Sequence, residues 1–189
     1  NRRELHKIPE LCREENKTFE YLVEQLDSYS ISWNNCSKTG LVAHLAQDAG
    51  GPHIGLRADM DGLLMREANE VEYRSRHDER MHACGHDGHM AVLLAVGRWL
   101  KLHEEKLPGP VTLIFQPAEE GGHGAREMIA DGALRGVDKI FGWHNWPAIP
   151  FGKVVCCEGV VMCANASFTI EVKGRGGHAS QPDICNDPV

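Results

Sequence analysis

No stretch of this 189-residue chain approaches the roughly 18 consecutive apolar residues that a membrane-spanning helix needs, so no helical membrane anchor is expected within it. No charged-then-apolar leader with a small-residue cleavage site opens the sequence, which begins on Asn1 rather than Met and so leaves room for a leader already removed. Basic blocks are missing too. The 20 Lys and Arg residues are scattered and the net charge is -7, which argues against a nucleic-acid backbone as partner. Nor do the cysteines form a disulfide framework: seven, an odd number without regular spacing, read as reduced thiols and point to a reducing, cytoplasmic setting. Internal repeats and low-complexity segments are absent. What is present is an ordinary globular composition, 42% hydrophobic and 25% charged, with length for one domain and a small part of another.

Along the chain, Phe19, Leu22, Val23 and Leu26 carry helical spacing and predict a helical opening between Arg2 and about Asp27. Apolar runs at Gly40–Ala46 and His53–Ala58 read as strands, and the intervening Gln47-Asp48-Ala49-Gly50-Gly51-Pro52 has the punctuation of a hairpin or tight connection. Met90, Leu93, Leu94, Gly97 and Leu100 predict a helix over 86–103, with Asp87 suited to its positive end and Pro108-Gly109-Pro110 as its stop. Val111–Gln116 is a continuous apolar run, expected of a strand buried on both faces. A short helix at Gly124–Ala130, capped by Gly132, and a strand at Lys139–His144 follow. This alternation predicts an α/β sheet with helices on its faces, whose ligands collect at the carboxyl ends of strands, where Asp59, Glu119, Glu120 and His144 fall. After Pro150 the texture changes, with strands expected at Gly152–Cys157 and Ser167–Gly174 before the glycine-rich run to His178.

The chemistry concentrates at His82-Ala83-Cys84-Gly85-His86-Asp87-Gly88-His89-Met90. Cys84 and His86, two apart where a loop enters a helix, can reach one point; a thiolate with an imidazole favours zinc or another first-row divalent ion. The plain alternative is a buried thiol beside a capping histidine. Glu119-Glu120 suits a division of labour, one carboxylate binding metal and the other holding a proton, against the alternative of a solvated acidic pair. His144 reads as a ligand or as a core histidine bonded to backbone. Asp59 and Asp61 alternate past a strand end and are expected to orient imidazoles from behind, though ligand and turn roles stay open. Asp87 stands similarly, with stabilisation of the helix start as its alternative. On spacing alone His178 is a surface-loop histidine, and His6, His44, His53, His77, His103 and His123 are structural or exposed. Cys12, Cys36, Cys156, Cys157, Cys163 and Cys185 read as small core or surface thiols.

Five motifs in this order, RADMD, HACGHDGHM, QPAEEGG, GWHNWP and GRGGHASQP, resemble the M20 metallopeptidase family, in its amidohydrolase branch of hippurate hydrolases, N-acyl-amino-acid amidohydrolases and auxin-conjugate hydrolases. The similarity runs from Arg2 to Val189. The resemblance implies a zinc-peptidase-like catalytic domain holding two divalent ions, zinc or manganese first and cobalt or nickel next. It also implies an inserted lid domain that mediates homodimerisation. Cys84, His86, Glu120 and His144 match the metal ligands, Glu119 the general base, and His178 a lid histidine that helps hold the oxyanion. The expected division is residues 1–164 for the catalytic part and 165–189 for the beginning of the lid. The expected reaction is hydrolysis of the amide bond of N-acyl amino acids.

Departures from the family pattern are Ile8 where histidine is common, Leu64 where proline is common, and His123 interrupting a glycine run. Such proteins run to about twice this length, and a final histidine ligand from a returning segment is not in this sequence. The chain is therefore expected to be a fragment that binds metal weakly and turns over poorly. Two rivals follow. One is a truncated or degenerate, non-catalytic metal-binding or scaffold chain. The other is a closed structural zinc site, which a free Glu119 argues against.

Overall fold

The computed structural model describes residues 1–164, 166 and 168–188, and the chain divides into two units, Asn1–Trp146 and Pro147–Val189. In chain order the first unit carries helices α1 (Arg2–His6) and α2 (Asn16–Ser28) and strands β1 (Ser32–Asn35), β2 (Leu41–Leu45) and β3 (Ile54–Asp59). Helix α3 (His86–Leu102), strand β4 (Val111–Gln116), helix α4 (Gly124–Ala130) and strand β5 (Lys139–Gly142) complete it. The strands form one mixed sheet in the order β1-β2-β4-β3-β5. The α/β fold with flanking helices is as expected.

Strand β4 organises the unit because every one of its residues is buried. Alternate side chains go to opposite faces. Leu113 and Phe115 join Leu41, Ala43 and Leu45 of β2 against Leu5, Leu22, Leu26, Met90 and Leu94 of the first three helices. Ile114 points the other way, to a smaller cluster with Val42 and Met128 of α4. Phe115 is fully buried, and truncating such a side chain to alanine costs about 3–5 kcal/mol. Helix α3 lies so close to the sheet that a Cβ on Gly97 would stand 2.6 Å from Leu113 Cδ1. A larger residue there would have to displace the Leu113 side chain.

Two expectations about connections change. Residues 41–45 and 54–59 do not form a hairpin: β2 runs antiparallel to β1 and β4, while β3 runs parallel to β4 and β5. Parallel pairing needs a crossover, and α3 supplies it between β3 and β4, so β4 takes the place between β2 and β3. The hairpin lies one step earlier, between β1 and β2. Its first strand, Ser-Trp-Asn-Asn, is too polar to announce itself. The helical opening is two helices, α1 and α2, separated by residues 7–15.

The second unit has a 3-10 turn at Pro182–Ile184 and an isolated antiparallel bridge between Arg175 and Asn186. The strand expected at Gly152–Cys157 is not formed, nor is one formed over 168–174, whereas Ser167 lies outside the described residues. Phe168, Ile170 and Val172 do alternate, yet they stand 85%, 76% and 63% exposed. Period-2 hydrophobicity makes a strand only where a neighbouring strand takes its hydrogen bonds, and the described residues of this unit supply none. No helix among the described residues is long and apolar enough to cross a membrane.

Candidate metal centre

Three parallel strands deliver their carboxyl ends to one place, and α3 begins there. Past β3 come Asp59 and Asp61, past β4 come Glu119 and Glu120, and past β5 come His144 and Asn145. Gly85, the residue before α3, adopts a left-handed conformation (φ 92°) that turns the chain so that Cys84 and His86 face the same space. A Cβ at Gly85 would meet the side chain of Asn145 within 2.5–2.9 Å, so the loop after β5 packs directly on this turn.

His86 is the centre of the arrangement. It is fully buried, and neither ring nitrogen has a hydrogen-bond partner. Its Nε2 lies 3.6 Å from Asp59 Oδ2, 3.7 Å from Glu120 Oε1 and 4.0 Å from Glu119 Oε2, while Nδ1 lies 3.4 Å from Asp61 Oδ1 without the alignment of a hydrogen bond. Two sets of donor atoms, each within 4.8 Å of one another, share this histidine: Cys84, His86 and Glu120 form one, and Asp59, His86, His89 and His144 the other. Burying unpaired polar atoms among carboxylates is costly, and a divalent cation among them would remove that cost.

The protonation chemistry fits a cation as well. Burial, followed by the charges of Glu120, Asp59 and Glu119, pushes the Cys84 thiol up to about 12. A thiol in such a setting ionises only when a cation arrives to offset the carboxylates. Burial pulls the His86 pKa down, but Asp61, Asp59 and Glu120 outweigh it and raise it, so the site favours positive charge. His144 donates Nδ1–H to the Asn145 carbonyl at 2.6 Å, which leaves the Nε2 lone pair free, 3.4 Å from Cys84 Sγ. A mixed sulfur, nitrogen and oxygen donor set suits a first-row divalent ion.

Glu119 belongs to neither donor set. Burial and the adjacent Glu120 carboxylate raise its pKa from the ordinary glutamate value, against the pull of His86. Asp59 is also pushed up by burial, but the hydrogen bond from His89 Nδ1 (2.6 Å) and the charge of Arg57 (2.6 Å) prevail and hold it well below the usual carboxylate range. It is thus both an orienting carboxylate and a member of a donor set. Asp61 accepts the Glu120 backbone N–H at 2.9 Å and the Cys12 thiol at 3.1 Å, fixing the acidic pair from behind. Asp87 turns away to His6 Nδ1 (2.8 Å) and Arg2 Nε (2.7 Å), and ties α3 to α1.

Residues 55–189 match the model of peptidase family M20/M25/M40, more than half of the chain. The chain belongs to this family. The N-acetyl-L-cysteine deacetylase of Bacillus subtilis (strain 168) is 42% identical over 189 residues, which are 100% of this chain and 45% of that protein. The hippurate hydrolase of Campylobacter jejuni is 39% identical over 191 residues, 100% of this chain and 49% of that protein. The chain thus spans about half the length of the curated relatives it matches. The crystal structure of the YXEP protein of Bacillus subtilis, described as a dinuclear metal-binding peptidase of the M20 family, aligns with a TM-score of 0.76 at 40% identity, covering 79% of this chain and 42% of that one.

In this M20 chain the motif residues Cys84, His86, Glu119, Glu120 and His144 meet around one point, although 60 positions separate Cys84 from His144. His178 belongs to the second unit and neither donor set; it is exposed, with Nδ1 2.8 Å from Ser180 Oγ. His123 occupies a left-handed position (φ 57°), which explains why a glycine run suits that site. Sequence reasoning misses His89, Arg57 and Asn145. His89 donates Nδ1–H to Asp59 and accepts the Asn145 backbone N–H at Nε2 (3.1 Å), so it links the loops after β3 and β5. One signal exists for it: His89 is three residues after His86, on the same helix face.

Proposed function

We infer that this chain supplies the metal-binding part of an amidohydrolase that cleaves the amide bond of N-acyl amino acids, releasing a carboxylic acid and an amino acid. The observation that carries this is His86, fully buried with both nitrogens unpaired between two donor sets, with the carboxylate of Glu119 beside it and outside both. Cys84, His86, Glu120 and His144 would hold the ions, with Asp59 in reach of the second set. Zinc or manganese fits these donors first, cobalt or nickel next.

Bound there, divalent ions supply Lewis acidity toward a carbonyl and lower the pKa of water. Glu119, with its pKa raised, takes the proton of the attacking water and returns it to the departing amine nitrogen. His178 donates to the developing oxyanion from the lid, through which the complete protein dimerises; residues 165–189 open that lid and residues 1–164 belong to the catalytic part. The relatives named above act on acetylcysteine and hippurate, which supports small N-acyl amino acids as substrates. Seven free cysteines fit a cytoplasmic setting.

Elemental analysis together with hydrolysis of a panel of N-acylated amino acids tests the assignment. Glu119→Gln is expected to keep its metal and lose on the order of 100-fold or more in rate. Cys84→Ser is expected to lose metal first. An unchanged rate in Glu119→Gln removes Glu119 from its role, and metal bound without turnover when the chain is part of a protein of its relatives' length favours a metal-binding chain over an enzyme.

A further inference from the structure

Glu15 occupies the cap position of α2, where a short Ser, Thr, Asp or Asn side chain ordinarily accepts the first free N–H groups of its own helix. Glu15 does not. Glu10 takes that role instead, its Oε2 accepting Thr18 N at 2.9 Å and Thr18 Oγ1 at 3.1 Å. Glu15 is fully buried and reaches across the fold: Oε1 accepts the backbone N–H of Ala118 at 2.8 Å, and Oε2 accepts the hydroxyl of Thr39 at 2.5 Å. Ala118 is itself buried and left-handed (φ 53°), a conformation that is unfavourable for an L-residue and persists only where its surroundings impose it. The next two residues are Glu119 and Glu120.

We propose that Glu15 is a positioning residue, which with Thr39 locks Ala118 in its left-handed conformation and so sends the Glu119 and Glu120 side chains in different directions. The proposal rests on the roles given to those two glutamates above. Two adjacent carboxylates with different tasks need a fixed backbone between strand and loop, and β4 stops at Gln116, before that point. From there the chain is held by the Asp61 contact to Glu120 N on one side and by Glu15 on the other. Glu15 belongs to neither donor set, and its contact to the chain that carries the two glutamates is the one to Ala118.

The test compares the 189-residue chain with Glu15→Leu, Glu15→Gln, Thr39→Val, Ala118→Gly and the Thr39→Val/Ala118→Gly double variant. Hydrogen exchange of the backbone amide at position 118 and Co²⁺ affinity by calorimetry are the readouts. Loss of a charge-assisted hydrogen bond should speed that exchange and weaken Co²⁺ on the order of tenfold in Glu15→Leu. Glu15→Gln, which keeps an acceptor at Oε1, should restore most of both, and Thr39→Val should move both in the same direction by less. Glycine adopts the left-handed conformation without penalty, so losses in the Ala118→Gly background should shrink rather than add. A wild-type Ala118 amide without protection, additive losses in the Ala118→Gly background, or unchanged exchange and affinity in Glu15→Leu overturn the proposal. If Glu15→Leu does not fold, Thr39→Val and the Ala118→Gly cycle decide it. If the wild-type chain binds no Co²⁺, the metal assignment fails while amide exchange still judges the brace.

Discussion

Two buried clusters of imidazole and carboxylate sit one residue apart on α3, and they are opposites. His86 opens one, with both ring nitrogens unpaired and Asp59, Asp61, Glu119 and Glu120 around it. Asp87 opens the other. There His6 Nδ1 meets Asp87 at 2.8 Å, His6 Nε2 meets Glu67 at 3.1 Å, and Glu67 also accepts the Ser75 backbone N–H at 2.6 Å. Both place a buried imidazole among carboxylates, although Glu119 and Glu120 are 41% and 22% exposed where Glu67 and Asp87 are buried; what matters most is whether the imidazole is satisfied. A satisfied histidine is a strut between α1, α3 and the loop around Glu67, whereas an unsatisfied one amid spare carboxylates is a place for a cation. His82 shows that orphaned nitrogens are insufficient by themselves. It is buried and unpaired, belongs to neither donor set, and burial drives its pKa down to about 4, so it stays neutral.

The contrast can be broken or sharpened by experiment. Saturating metal at about 1,000 times its Kd should stabilise the wild-type chain by about 4 kcal/mol in urea unfolding. That gain should vanish in His86→Ala and survive in His6→Ala; equal gains in both would erase the distinction. His6→Ala should cost about 3 kcal/mol with or without metal, because Glu67 and Asp87 lose their buried partner.

A smaller effect is expected with pH. The hydrogen bond to Asp87, against burial and with help from Glu67, raises the pKa of His6 above 6.5. Its contribution to stability is therefore complete below the unfolded value and is lost as pH rises through the higher folded one. Asp87, held low despite burial by His6, His82 and Arg2, works in reverse: its contribution is present above the unfolded carboxyl value and is lost as pH falls through the folded one. The metal-free urea midpoint should fall as pH rises from about 6.5 to about 9, and this fall should be reduced in His6→Gln. The smallest change is expected for His82→Leu, within about 1 kcal/mol of wild type, since an apolar group replaces an unpaired imidazole. A large loss would mean that the His82 imidazole is held by a polar partner and is not an orphan.

Much of this is legible in the sequence because the signals are local. The apolar run of β4, the helical stripe of α3 and the pairing of Cys84 with His86 lie within a few residues, and the fall of Asp59, Glu119 and Glu120 at strand ends follows once the strands are placed. What escapes depends on contacts distant in sequence. His6 reads no differently from the other scattered histidines because Asp87 is 81 positions away, and Glu15 looks like one more surface acid although Ala118 is 103 positions away. β1 goes unannounced because Ser32, Asn34 and Asn35 carry no apolar pattern, its strand state coming from the partner β2. The reverse error falls on 168–174, where the pattern exists and the described partner does not.

The turn at Gly85 sets a rule for anyone moving this centre into another protein. Gly85 and Asn145 must travel as a pair, because a methyl group at 85 would strain a left-handed backbone position and push aside the asparagine side chain next to His144. Gly85→Ala is consequently a one-carbon change that disturbs the turn between Cys84 and His86 while every candidate ligand keeps its identity.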